Sequence, residues 1–328
     1  MNEPILSLAI PTWNRAEIVE KALEIVLPQV EKNKDHIEVI LSDNGSTDNT
    51  DAVIKKYIKD FPDINIVHNR QSENTGFYGN FKKCRELSKG KYFWLLSDND
   101  HIAYGLIDCI MEVLLGHKPN FVFLKDWKHA HKVGPQRPFS TEVYDVDRGI
   151  EAFNFKTTLI SAVIFTNKKT KDDELFKTFK GNTFMGFALF VESLDISKKA
   201  VEISGTSLFI KDTKVSFNAF KSFAVDLIAC IDYAVKNNIL PQQTANIFID
   251  EVIKGLTTKH YILFRLTGQL HGFKYTKKEV DDLLNGGFSD YKAYTEVLNP
   301  LQTASKPKFL LLVLQKHLFR LAKQRLFR

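Results

Sequence analysis

Two aspartates separated by a single residue, Asp98 and Asp100, close the aromatic and apolar run Tyr92-Phe93-Trp94-Leu95-Leu96-Ser97. Such a run, beginning after Lys91 and stopping in acids, predicts a buried strand whose C-terminal tip emerges into solvent. In an extended backbone the side chains at i and i+2 point the same way, so both carboxylates would converge while Asn99 faces elsewhere. Neighbouring carboxylates repel each other, and a divalent cation removes the repulsion. Hard oxygen ligands suit manganese or magnesium, whose open positions are filled by water and substrate phosphates. The same residues also read as an acidic turn that caps a helix beginning near Ala103. The context upstream shifts the balance toward the metal.

The elements that must position these acids alternate between strand and helix. Ile5 to Ile10 is a short apolar strand ended by Pro11, followed by the loop Thr12-Trp13-Asn14-Arg15. Ile18, Val19, Ala22, Leu23, Ile25 and Val26 then recur at helical spacing, with Pro28 near the end. A second strand, Ile37 to Leu41, terminates in Ser42-Asp43-Asn44-Gly45-Ser46-Thr47-Asp48, a turn cluster that can also cap the helix running to about Lys59. Ile64 to His68 reads as the third strand, Phe81 to Leu87 as part of a helix, and Lys91 to Ser97 as the fourth strand. This alternation predicts a parallel sheet with helices on both faces and a ligand beyond the strands' carboxyl ends. The polar clusters at Thr12 to Arg15, Asp43 to Asp48 and Asp98 to Asp100 all follow strands and should gather on one rim. For a nucleoside diphosphate ligand, Asp43 could accept hydrogen bonds from base or ribose and Arg15 could face phosphate. Turn chemistry for Asp43 and a solvated helix start for Arg15 are the plain alternatives. Gly76 and Gly79 relieve backbone strain in a loop rather than forming a phosphate cradle. Asn74 and Asn80 could line the site or cap the helix.

As an ordered set, Ser7 to Arg15, Ile37 to Asp48, Asn74-Thr75-Gly76 and the Ser97-Asp98-Asn99-Asp100 tip resemble the successive signatures of glycosyltransferase family 2. The resemblance covers roughly the first hundred residues and implies an α/β GT-A fold, a Rossmann-like and mostly parallel sheet flanked by helices. It implies that Pro11, Thr12, Asn14, Arg15 and Asp43 surround the nucleoside, with Gly76 and Asn80 beside the nucleotide sugar. Asp98 and Asp100 would be the DXD pair holding manganese or magnesium against the diphosphate, with Asp98 also facing the donor. Asn44 stands where the family often has a second acid, and no role is carried over to it. Inverting members need a general base, commonly an acid near a helix start in the region of Met185-Gly186. Glu192 and Asp195 are the nearest carboxylates, and Glu192 is the candidate, with an exposed helix position as its plain reading.

Asn120 to Leu124 continues the strand pattern, and Lys125 to His131 reads as polar loop, in which His129 and His131 lack a further ligand at helical spacing. Leu159 to Phe165 reads as another strand. Residues 1–215 are expected to form the catalytic domain and 216–328 a mainly helical extension, with helices near Ser222 to Lys236 and Ala245 to Leu256. His260 and His271 are later histidines that could approach a metal. From Lys306 onward the chain is basic (Lys308, Lys316, Arg320, Lys323, Arg325, Arg328), with no acid after Glu296. On a helical projection Leu311, Leu314, Leu318 and Leu321 share one face. Residues 306–328 could therefore lie on an anionic membrane or dock on the protein's own body.

With 328 residues, 44% of them hydrophobic and 26% charged, the chain has the composition of a globular protein with a large core. Its three cysteines are too dispersed for a disulfide framework or zinc site, which points to a reducing compartment. The first residues do not make a secretory signal, and no apolar run reaches the roughly 20 residues of a membrane span. The expected location is cytoplasmic, at the inner face of the membrane if the basic end binds lipid. The expected function is metal-dependent, inverting sugar transfer from a nucleotide-sugar donor to a saccharide or lipid-linked glycan, in surface polysaccharide biosynthesis. A sugar-phosphate nucleotidyltransferase would want a glycine-rich, arginine-containing loop after the first strand, which Pro11 to Arg15 is not. A relative that binds donor without turnover is the other alternative. A nucleic-acid binder fits less well, because the terminal basic residues alternate with leucines rather than exposed aromatics.

Overall fold

The structure is a computed structural model that describes residues 3–129, 138–210 and 218–315. The chain divides into two compact units, Met1–Thr213 with Ala234–Pro241 and Lys214–Tyr233 with Gln242–Arg328.

The first unit is built on one sheet. Strands β1 (Leu6–Thr12), β2 (Ile37–Asp43), β3 (Asn65–Arg70) and β4 (Tyr92–Leu95) are joined by helices α1 (Ala16–Glu31), α2 (Thr50–Asp60) and α3 (Gly76–Leu87). There follow β5 (Asp100–Ile102), α4 (Leu106–Gly116), β6 (Phe121–His129), β7 (Ser140–Asp145), α5 (Val146–Phe153), β8 (Val163–Thr166), α6 (Asp172–Thr178), α7 (Met185–Glu192) and β9 (Lys199–Ile210). The strand order is β3-β2-β1-β4-β8-β6-β9-β5, with β7 pairing β9 as well. β3, β2, β1, β4, β6 and β9 share one direction, while β8, β5 and β7 run against it. Leu6, Leu8, Ala9 and Ile10 of β1 and Val39, Ile40 and Leu41 of β2 are all fully buried, as strands covered on both faces require.

Strand ends depart from the sequence reading where a neighbouring strand, rather than local composition, sets the limit. β1 runs through Pro11 to Thr12, in register with Ser42 and Asp43 of β2. β4 pairs β1 only as far as Ala9 opposite Leu95, so the N–H that Pro11 lacks has no ladder partner to lose. β4 stops at Leu95, and Asp100 N–H donates to Ser97 O at 3.0 Å, closing a turn. Asp98 therefore lies in a turn and Asp100 begins β5, paired with Ile210, so the expected pleat-driven convergence of the two acids does not operate. β6 continues through Lys125 to His129, where a polar loop was expected, because it keeps pairing with β9; His131 lies outside the described residues. Residues 159–162 form tight turns instead of the first half of a strand, and only Val163–Thr166 joins the sheet.

The second unit is helical, apart from a short hairpin. Its elements include α8 (Ala219–Lys221), α9 (Leu227–Lys236), α10 (Gln242–Val252), α11 (Thr258–Thr267), α12 (Lys277–Phe288) and α13 (Asn299–Thr303). Wider π-turns at 222–226, 253–257 and 294–298 lead into α9, α11 and α13. Among the described residues no helix is long and apolar enough to cross a membrane.

Candidate active site

The carboxyl ends of β1, β2 and β4 deliver their loops to one place. Asn14, at φ 49°, accepts the Thr47 N–H on Oδ1 at 2.7 Å, and its own N–H donates to Ser46 Oγ at 2.8 Å. Asparagine tolerates that left-handed backbone, so the residue ties the loop after β1 to the loop after β2. Arg15 N–H donates to Thr50 Oγ1 at 3.1 Å, which fixes the start of α1 against the start of α2.

Asp98 meets these loops from β4. Its Oδ2 accepts from Thr12 Oγ1 at 2.8 Å and its Oδ1 from the Arg15 guanidinium at 2.8 Å. The Asp98 side chain is 4% exposed and that of Arg15 44%. Burial pushes the Asp98 carboxyl above its ordinary value, and the Arg15 charge and the Thr12 and Arg15 hydrogen bonds offset this only in part. The carboxylate has room for more positive charge than one half-exposed arginine supplies.

Beside this pair opens a cavity of about 370 Å³. Of the residues given a role in the sequence, Pro11, Thr12, Arg15, Asn74, Gly76, Asn80 and Asp98 line it. Gly76 opens α3 at φ +75°, a conformation that favours glycine, and Asn80 is held by Ser42 Oγ at 2.6 Å and by the Ser42 carbonyl at 3.0 Å. Asn14, Asp43, Asp100 and Glu192 are not among the lining residues. Asp43 is fully buried beneath the rim; its Oδ1 accepts the Ser46 N–H at 2.9 Å, and its Oδ2 lies 3.5 Å from Arg70 Nε. Asp100 is 6% exposed. Glu192 ends α7, with its carboxylate 3.3 Å from Lys171 Nζ.

Several lining residues carry no role in the sequence reading. Asn44 is the hub of the far wall: its Oδ1 accepts from Gln71 Nε2 (2.8 Å), Thr75 N–H (3.0 Å) and Thr75 Oγ1 (2.9 Å), and its Nδ2 donates to Asn74 Oδ1 (2.8 Å) and the Gly76 carbonyl (3.1 Å). Trp13 and Phe77 both line the cavity and stay 46% and 60% exposed, offering ring faces to a planar or sugar ligand. An aromatic ring inside an otherwise polar loop was the available signal for Trp13. Leu95, Ser97 and Ile160 complete the wall. Among the described residues no group of three or more His, Cys, Asp or Glu side chains could hold a metal ion.

A family model described as glycosyl transferase family 2 matches residues 7–180. Over 99 residues the chain is 35% identical to the abequosyltransferase RfbV of Salmonella typhimurium, which is 30% of this chain and 29% of that one. Over 109 residues it is 31% identical to the GalNAc(5)-diNAcBac-PP-undecaprenol beta-1,3-glucosyltransferase of Campylobacter jejuni, which is 33% of this chain and 34% of that one. The matched stretch thus spans about a third of the length of these relatives. Among solved structures, S. aureus TarS 1-349 in complex with UDP superposes with a TM-score of 0.62 at 16% identity, covering 94% of this chain and 88% of that one. The mannosyltransferase PcManGT from Pyrobaculum calidifontis, in complex with GDP-Man and Mn2+, gives 0.50 at 14% identity, covering 99% and 88%. These likenesses identify the sheet with its helical flanks as the GT-A fold. The match over 7–180 takes in the loops after β1, β2 and β4 that meet at the cavity, and the chain belongs to glycosyltransferase family 2.

Proposed function

We propose that the protein transfers a sugar from a nucleoside-diphosphate donor to a hydroxyl of a saccharide or lipid-linked glycan, with inversion, in polysaccharide biosynthesis. The observation that carries the reading is the cavity lined by Thr12, Arg15 and Asp98 at the carboxyl ends of the parallel strands, where α/β sheets bind their ligands. Trp13 and Phe77 offer ring faces, Asn44 and Asn80 hold the walls with their amides, Asn74 presents its amide at the cavity, and Arg15 offers the charge for phosphate. TarS in complex with UDP-GlcNAc and PcManGT with GDP-Man support a nucleotide-sugar donor. The lipid-linked substrate in the Campylobacter relative's name supports the acceptor class.

Asp98 and Asp100 would hold a manganese or magnesium ion. The buried carboxylate of Asp98 at the cavity wall fits one, with Asp100 two residues on at the start of β5, and a metal that keeps positions for water and phosphate asks few ligands of the protein. When bound, the ion supplies positive charge that stabilises the departing diphosphate. The chain's own residues orient the donor: Thr12 and Arg15 fix Asp98, Asn14 ties the rim loops, and Asp43 braces the turn under them through Ser46. Glu192 is not given the base's role, since its carboxylate faces Lys171 and does not line the cavity. We assign 1–215 as the catalytic part and 216–328 as its helical extension.

The test is thermal stability with UDP, GDP and their sugar conjugates, with and without manganese. Binding at about one hundred times the dissociation constant adds roughly 2.7 kcal/mol of stability. A manganese-dependent rise in melting temperature that disappears in Asp98→Asn is expected. No shift with any nucleotide, with or without manganese, would remove the proposal.

A further inference from the structure

The Arg15–Asp98 pair is asymmetric in a way that bears on how the site fills. Asp98 is anchored: it lies in the turn that Asp100 closes onto Ser97, its side chain is 4% exposed, and it is held from a second side by Thr12. Arg15 is 44% exposed, and the bond to Asp98 runs from the outer end of a long side chain at the cavity wall. The charged partner free to move is therefore the cation, and the one that stays is the anion. A divalent ion approaching Asp98 meets the guanidinium already on Oδ1, and like charges at that spacing repel strongly where burial lowers the local dielectric. A diphosphate arriving alone draws Arg15 away and leaves a buried carboxylate facing an anion, with only the Thr12 hydroxyl to compensate it. When ion and diphosphate arrive together, Asp98 keeps a cation, Arg15 gains an anion, and no buried charge is left unpaired.

Resting on the donor-site reading above, we infer that the Arg15–Asp98 ion pair is a built-in substitute for the metal and diphosphate, exchanged for them jointly. Arg15 is thus the positioning residue that makes metal and nucleotide bind interdependently. Its guanidinium suppresses metal binding to the empty site and rewards it once phosphate is present. By linkage, the factor by which nucleotide tightens metal equals the factor by which metal tightens nucleotide.

The experiment titrates manganese into the full-length protein, reading the free ion by electron paramagnetic resonance, without nucleotide and with saturating UDP or GDP. Arg15→Gln is expected to bind manganese alone at least about fivefold more tightly than wild type, and the enhancement by nucleotide should shrink by a similar factor. Arg15→Lys, which keeps the charge, should stay near wild type, and Arg15→Ala should follow Arg15→Gln. Manganese affinity in the nucleotide-free Arg15→Gln and Arg15→Ala proteins that equals or falls below wild type, with the far-UV circular dichroism unchanged, overturns the exchange. Joint binding in wild type with that result sinks only the role of Arg15, whereas no binding of UDP or GDP with manganese in wild type or variants sinks the donor-site reading.

Discussion

Burial penalises a charged carboxylate unless donors and positive charge face it, and Asp98 draws both from the single segment Thr12 to Arg15, which offsets that penalty in part. Asn44 works on the opposite wall by the same logic with neutral groups, using both ends of one amide to hold the segment 71–76. Removing that amide in Asn44→Ala takes away the hydrogen bonds to Gln71, Asn74, Thr75 and Gly76; Thr75 and Gly76 are exposed, so water replaces part of what is lost and each bond is worth about 0.5–1.5 kcal/mol. The expected result is a loss of about 2 kcal/mol in urea unfolding together with weaker UDP binding by calorimetry. Unchanged nucleotide affinity would show that the wall does not touch the donor. Thr12, Arg15 and Asp98 were legible because each sits within a few residues of a strand end, where the chain itself dictates placement. Asn44 and Phe77 were not, since their position depends on the segment after β3 folding back over β2, a contact that no periodicity encodes. Asp43 was legible as a strand-tip residue, but its full burial depends on Arg70 and Ser46 closing around it.

At the scale of elements, the first four strands follow from apolar runs and the helices between them from 3.6-residue spacing, whereas the ends follow from partners. β6 is long because β9 is long, and β4 is short because a turn must present Asp98. In the second unit, helical spacing near 222–236 and 245–256 is borne out, but the π-turns that interrupt it are invisible in a pattern that tolerates one extra residue per turn. α11 follows one of these π-turns and carries His260, whose ring lies 5.2 Å from that of His271 at the tip of the hairpin. Burial pushes the imidazole down to about 4, with His271 and Lys259 adding to the effect. The folded state thus binds this proton less readily than the unfolded chain, whose value is near 6.5. The contribution of neutral His260 is fully present above pH 6.5 and is lost as pH falls toward 4. Between pH 7 and pH 5 the loss is about 2 kcal/mol. Hydrogen exchange of the α11 amides at those two pH values should show wild type losing that much more protection than His260→Phe. Parallel losses in the two proteins would assign the acid sensitivity elsewhere.

At the scale of the molecule, the described part of the second unit closes with a helical stretch over 306–315 that has two apolar sides. Phe309 is buried and receives the Arg265 guanidinium over its ring at 4.6 Å, while Arg265 also donates to the Leu301 carbonyl at 3.1 Å. That anchors one side. Leu310, Leu311 and Leu314 are 48%, 54% and 54% exposed on the other, and Leu263 and Leu266 of α11 are 45% and 55% exposed. Phe309 carries the packing on its side, whereas these leucines keep about half their surface in solvent. The stretch after Glu296 has no acid and is basic from Lys306 to Arg328; residues 316–328, with Leu318 and Leu321, lie outside the described structure. Exposed leucines in a stretch of sequence whose charges are all positive match an anionic lipid surface, where apolar burial and charge attraction add. The expected outcome is sedimentation with phosphatidylglycerol vesicles, weakened by salt, and little recovery with neutral phosphatidylcholine. The Leu310→Glu, Leu311→Glu, Leu314→Glu triple variant should bind at least about tenfold more weakly, since it removes several apolar side chains from the lipid contact. Because Phe309 and Arg265 are untouched, its melting temperature should stay near wild type. Equal recovery with neutral and anionic vesicles would remove charge attraction from the account, and a triple variant that still sediments would remove these leucines from the lipid contact.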